Sequence, residues 1–215
     1  MTAPTPPRHP RLLPSLWLLR HAAPQIAPGI CYGQLDVPVS AAQTQQAAKN
    51  FAAVAPQHAV VRSSPLQRCE LLALAAQALR PDLVLQPSDP RLGELDFGSW
   101  EGVPWNDIAP RQLDAWAQQL AHYRPGGGEN LQAMLQRVAQ ALAHSWANDS
   151  AGGQRHCLWV CHAGTMRCVQ WLLQQGLCTT PHSAQWVLPA PGYGQWLRLP
   201  WSALPLDVRQ LATGC

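Results

Sequence analysis

Two apolar runs in this 215-residue chain end in histidine. Leu16 to Leu19 gives way to Arg20-His21, and Cys157 to Cys161 gives way to His162. A third run, AVVR at 59–62, leads through SSPLQ to Arg68. Glu94 stands between them in GELDFGSWEG, a stretch rich in glycine and aromatic residues. Guanidinium groups suit bidentate binding of phosphate or carboxylate. Ala163-Gly164-Thr165 opens a helix after His162, and a helix start offers unpaired N–H groups and a positive dipole end to an anion. The chemistry suggested is that of an anion site with titratable groups beside it.

Such residues need a scaffold that gathers them. Residues 15–19 read as a short buried strand. Residues 40–54 read as a helix with Ser40 as its N-cap. AVVR is a second strand. Ser64 then caps a helix that has Pro65 at its first position and runs to about Arg80, where Pro81 stops it. LVLQ at 83–86 is a third strand. Residues 87–128 are irregular, with a short helix around 109–122. GGENLQAMLQRVAQALAHSW carries Leu131, Leu135, Val138 and Leu142 on one helical face, and Glu129 favours its start. CLWVC at 157–161 is a fourth strand, followed by a helix ending at Gly176. WVL at 186–188 and GQWLRLPW at 194–201 read as a closing hairpin. Alternating strands and helices imply an α/β fold with a mostly parallel sheet. Ligands of such sheets collect at the C-terminal ends of the strands, which is where Arg20, His21 and His162 fall.

In this order the segments resemble the histidine phosphatase superfamily, which includes the cofactor-dependent phosphoglycerate mutases. Arg20-His21-Ala22 is similar to its Arg-His-Gly signature. YGQLDVPVSAAQTQQA (32–47) is similar to the segment after its first loop, SSPLQRC to its Ser-x-Leu-x-Arg helix start, LGELDFGSWEG to its acid loop, and VCHAGTMR to its second-histidine segment. The likeness runs from about residue 15 to 176. The acid loop and the Gly-Gly-Glu-Asn helix opening look most like small α-ribazole phosphatase-like members. Two positions depart from the pattern. Ala22 replaces glycine, which strains the backbone only if φ must be positive there. Arg68-Cys69-Glu70-Leu71-Leu72-Ala73 lacks the usual threonine.

The resemblance implies a three-layer α/β/α, phosphoglycerate mutase-like fold and a phosphomonoesterase. His21 would attack phosphorus and form a phosphohistidine, splitting one displacement into two. Arg20 and Arg68 would hold the non-bridging oxygens, with His162 as a donor and the Ala163 N–H nearby. Glu94 would protonate the leaving oxygen and then accept a proton from water. Gln34 and Trp100 would touch substrate, with Trp105 a further suspect. Metal and cofactor are expected to be absent, because the arginines and histidines supply the positive charge. The substrate would be a small phosphate monoester such as α-ribazole 5′-phosphate. Phosphoglycerate mutase, a broad sugar-phosphate phosphatase, or an inactive phosphate-binding protein are the alternatives.

Other residues compete for these roles. Asp96 and Glu101 rival Glu94, and the family pattern favours Glu94 and gives Glu101 a structural part. Arg62 ends a strand and could reach the site or form a salt bridge. Arg8-His9 sits in a Pro-rich arm with no strand before it and reads as a decoy. Arg155-His156 precedes its strand and should face the opposite end of the sheet. HCLWVCH (156–162) invites zinc. However, strand parity puts its histidines and cysteines on opposite faces, and Cys157 and Cys161 would lie about 13 Å apart.

Length fits a loose arm over 1–14 and a single domain over 15–215, with 87–128 as a lid-like segment. Fourteen of the 15 basic residues are arginine, Lys49 being the only lysine, and the net charge is only +3. The arginines are scattered rather than clustered, which argues against nucleic acid. No apolar run approaches the ~20 residues of a membrane span. Seven cysteines without a CxxC pair or a secretory leader read as reduced thiols in a cytoplasm. Oligomeric state is open, a homodimer being possible.

Overall fold

Along the first strand, β1 (Ser15–Arg20), side chains alternate between two cores, as strand geometry requires. Leu16 and Leu18 enter one core, Trp17 and Leu19 the other. The same alternation runs through β4 (Cys157–Cys161): Cys157, Trp159 and Cys161 face the first core, Leu158 and Val160 the second. The computed structural model describes residues 13–212. Arg8-His9 and most of the N-terminal arm therefore lie outside the described residues.

The remaining elements are α1 (Ala41–Ala52), β2 (Val60–Ser63), α2 (Gln67–Leu79), β3 (Val84–Leu85), α3 (Pro110–Gln118), α4 (Leu131–His144), α5 (Ala163–Gln175), β5 (Trp196–Pro200) and α6 (Leu206–Gln210). The sheet order is β3-β2-β4-β1-β5. The first four strands run parallel, and β5 runs antiparallel to β1. Phe51 of α1 and Leu72 of α2 pack on one face; Leu135 of α4, Val169 of α5 and Val208 of α6 pack on the other. This is the expected three-layer α/β/α arrangement. Among the described residues no helix is long and apolar enough to cross a membrane. The six described cysteines are free thiols, five of them buried.

Three local expectations need correction. First, α2 starts at Gln67, with Leu66 as N-cap and no side-chain cap of its own. Ser64 instead turns its hydroxyl to His162, 2.9 Å away. The Gln67 N–H is taken by Asp36 Oδ1 at 2.9 Å. Second, α4 opens at Leu131 with Asn130 as its cap, accepting from the Ala133 N–H, so Glu129 stands just before the helix and not in its first turn. The Glu129 carboxylate pairs with Arg137 through two 2.7 Å bonds. Third, residues 186–188 form no strand and there is no closing hairpin. Pro189 and Pro191 have no N–H to give to a ladder. The carbonyls of this segment serve other donors: Leu188 O takes Arg167 Nε, Pro189 O takes Gln170, and Pro191 O takes Arg20. β5 pairs with β1 alone, Leu18 opposite Leu197.

Candidate active site

Register brings the two histidines together. β1 and β4 are adjacent and parallel with Arg20 opposite Cys161, so the next residue of each strand is a histidine at the same sheet edge. The ring centroids of His21 and His162 lie 5.1 Å apart, and both rings are buried. The start of α2, two strands away, delivers Arg68 to the same place. Arg155-His156 sits at the other end of β4, where His156 Nδ1 accepts from the Ser15 N–H. Arg62 is held by Asp149 in a bidentate pair at 2.5 and 2.9 Å and does not line the cavity.

His21 is set in one tautomer. Its Nδ1 is 2.7 Å from the Ala22 carbonyl oxygen, which can only accept, so Nδ1 carries the proton and Nε2 keeps its lone pair. Burial drives the His21 pKa down to about 3. The nearby Arg68 and Arg20 charges add to the fall, and the bond to Ala22 opposes it. Burial, and then His21 and the arginines, push His162 well below its ordinary range. Ala22 lies outside the left-handed region, so its replacement of glycine strains nothing. Cys69 Sγ stands 3.5 Å from His162 Nε2.

A group held neutral in the fold but free to protonate when unfolded destabilises the fold in acid. The His21 contribution is complete above pH 6.5 and is lost progressively between pH 6.5 and about 3. Lowering the pH from 6.5 to 5 should therefore cost about 2 kcal/mol of unfolding free energy from His21 alone. Urea unfolding at the two pH values checks this, and His21→Asn should flatten the dependence.

The arginines are held by carbonyls, not by carboxylates. Arg20 Nη1 donates to Pro191 O at 2.8 Å, and its guanidinium carbon lies 4.0 Å from the centre of the Tyr193 ring. Arg68, fully buried, donates to Leu35 O at 2.8 Å and to Gly33 O. The Nε of each is buried without a partner among the described residues. Neither guanidinium belongs to an ion pair among the described residues. Buried charge without a counter-charge is costly, and an anion entering here would supply one.

Glu94 completes the polar end. Its Oε1 accepts from the Leu95 N–H at 3.0 Å and its Oε2 from the Gly164 N–H at 2.9 Å. The helix start that the sequence offers to an external anion thus holds the Glu94 carboxylate, with Ala163 beside it on the cavity wall. The Glu94 carbonyl is pinned by Arg137 at 3.0 Å and by the Gln34 amide at 3.1 Å. Gln34 therefore supports the acid loop and does not line the cavity. Glu101 accepts four backbone N–H groups, from Gly33, Gln34, Leu35 and Phe97, at 2.8 to 3.0 Å. It ties the acid loop to the loop whose carbonyls hold Arg68. Asp96 caps its own turn through the Gly98 N–H.

All five groups line one cavity of about 420 Å³. Trp100 does not. It is buried behind the wall, 5.9 Å from Trp116 and 6.4 Å from Trp105, which line the cavity in its place. Sequence reading also missed Tyr32, Trp186 and Arg167 on the lining, and Tyr193 beside it. The Tyr193 ring is 5.4 Å from that of His21, and its hydroxyl is 2.8 Å from the Tyr32 hydroxyl. Burial, and then this bond, raise the Tyr32 pKa. The sequence signals for these residues are slight: Tyr32 opens the 32–47 segment and Arg167 ends the VCHAGTMR segment.

The sequence and the fold both resemble known proteins. The family profile described as histidine phosphatase superfamily (branch 1) matches residues 16–186. Over 84 residues, 37% of this chain, the sequence is 40% identical to a bifunctional protein of Mycobacterium tuberculosis, and the match spans 22% of that protein. Over 183 residues it is 27% identical to the adenosylcobalamin/alpha-ribazole phosphatase of Salmonella typhimurium, covering 80% of this chain and 83% of that protein. A solved mycobacterial glucosyl-3-phosphoglycerate phosphatase superposes with a TM-score of 0.72 at 26% identity, over 87% of this chain and 90% of that one. The matched region contains both histidines, both arginines and Glu94, and the chain belongs to branch 1 of the histidine phosphatase superfamily.

Proposed function

We propose that the chain is a metal-independent phosphomonoesterase that works through a phosphohistidine at His21. The observation that carries this reading is the pairing of a neutral imidazole, its Nε2 lone pair free, with two guanidinium groups that lack carboxylate partners. The phosphate dianion would neutralise Arg20 and Arg68. The Nε2 lone pair of His21 forms the N–P bond as the ester P–O bond breaks, and Glu94 gives its proton to the departing alkoxide oxygen. Water then attacks phosphorus, Glu94 takes back a proton, and the N–P bond breaks to release phosphate and neutral His21. Positioning and charge matching around the transferring group supply the rate.

The two phosphatase relatives support a small phosphate ester as substrate, with α-ribazole 5′-phosphate as the finer reading. The free thiols fit a reducing compartment such as the cytoplasm. The inactive-binder alternative loses its one support, since Ala22 is unstrained. Hydrolysis of p-nitrophenyl phosphate in excess EDTA tests the proposal: turnover should be unchanged by the chelator. Activity abolished by EDTA and restored by a divalent cation would replace this mechanism with a metal-assisted one.

A further inference from the structure

Seventeen residues line the cavity, and those besides the five charged or titratable groups described above have a distinct chemistry. Among the described residues, apart from Arg20, His21, Arg68, Glu94 and His162, its polar side-chain groups are the Tyr32 hydroxyl, the Arg167 guanidinium and the indole N–H donors of Trp105, Trp116 and Trp186. No described serine, threonine, asparagine, glutamine, aspartate or lysine lines it. The rest of the wall is aliphatic or aromatic, led by Phe97, Trp105, Trp116 and Trp186.

These rings are fixed in orientation. Trp105 and Trp116 lie nearly parallel, 5° apart in plane with centroids 6.1 Å apart. Phe97 meets both edge-on, at 5.6 and 5.8 Å. Trp186 comes from a distant segment and rests on Trp171. Arg167, on the second turn of α5, spends its Nε on Leu188 O and forms no ion pair among the described residues.

We propose that this part of the cavity selects a leaving alcohol that carries a flat aromatic ring with a hydrogen-bond acceptor at its edge, the ring packing among Trp105, Trp116 and Trp186 and the acceptor meeting Arg167. This rests on the phosphatase reading above. A sugar or glycerate without such a ring would bring hydroxyl donors on nearly every carbon to a wall that offers N–H donors and few acceptors, and buried hydroxyls without partners are penalised. A flat ring satisfies the aromatic faces by offset or edge-on contact. A cationic leaving group would be repelled by Arg167.

The test uses wild-type protein and four phosphates of primary alcohols, whose similar leaving groups equalise the chemical step: 2-(1-naphthyl)ethyl, 2-(quinolin-4-yl)ethyl and 2-cyclohexylethyl phosphate, and glucose 6-phosphate. The naphthyl ester should exceed the cyclohexyl ester about 10-fold in kcat/KM and glucose 6-phosphate about 100-fold. The quinolinyl ester should exceed the naphthyl ester, and Arg167→Met should bring that ratio to about one. Cyclohexylethyl or glucose phosphate turned over as well as the naphthyl ester would overturn the proposal while leaving the phosphatase reading in place. A quinolinyl ester no better than the naphthyl ester would remove Arg167 from it. Turnover of none of the four would overturn the phosphatase reading, and this proposal with it.

Discussion

His21→Asn is expected to lower kcat/KM towards an alkyl phosphate by at least about 10⁴-fold, some 5.5 kcal/mol of transition-state stabilisation, because it removes the nucleophile outright. Asparagine is the informative replacement. Its amide can still donate to the Ala22 carbonyl that now takes the Nδ1 proton, so the loop need not rearrange. It cannot offer a nucleophilic lone pair in place of Nε2. Rapid quenching of the wild type with a ³²P-labelled ester should trap a phosphoprotein stable in alkali and labile in acid, as an N–P bond requires. The variant should trap none. Activity within tenfold of wild type would show that the phosphoryl group never resides on His21.

The part of this site that was legible in the sequence is the part controlled by strand ends. His21 and His162 each follow the last residue of a buried strand, and parallel register does the rest by pairing Arg20 with Cys161. Strand parity likewise assigned the β4 residues to their two faces before any contact was known. The failures share a different cause. Between residues 87 and 128 there is no period to say which way a side chain turns, so Trp100 and Trp105 were indistinguishable; packing then buried the first and left the second on the cavity. Tyr193, between two glycines, gives no pattern at all. Its position depends on Pro189 and Pro191 breaking the expected hairpin and on Arg20 capturing the Pro191 carbonyl. Ser64 has the signature of a cap, and the sequence could not reveal that a histidine 98 residues away would claim its hydroxyl.

Gly164→Ala is expected to act as a catalytic lesion although it touches neither histidine. A Cβ at this position would lie 2.0 Å from Glu94 Oε1 and 2.9 Å from Cδ. The Glu94 backbone cannot retreat easily, being held by Arg137 and Gln34, so the carboxylate must swing away from the cavity. General acid catalysis is worth about 10²–10⁴-fold, and a loss of about 10²-fold in kcat is expected for a primary alkyl phosphate. The loss should shrink to less than about tenfold for p-nitrophenyl phosphate, whose phenolate departs without a proton. Alanine is otherwise the better helix former by about 1 kcal/mol, so the melting temperature should not betray a general loss of structure. Glu94→Gln should show the same dependence on the leaving group. The double variant should be no worse than Glu94→Gln alone, because both changes remove one function. If Gly164→Ala slowed the two esters equally, the proton would have to come from a group other than Glu94.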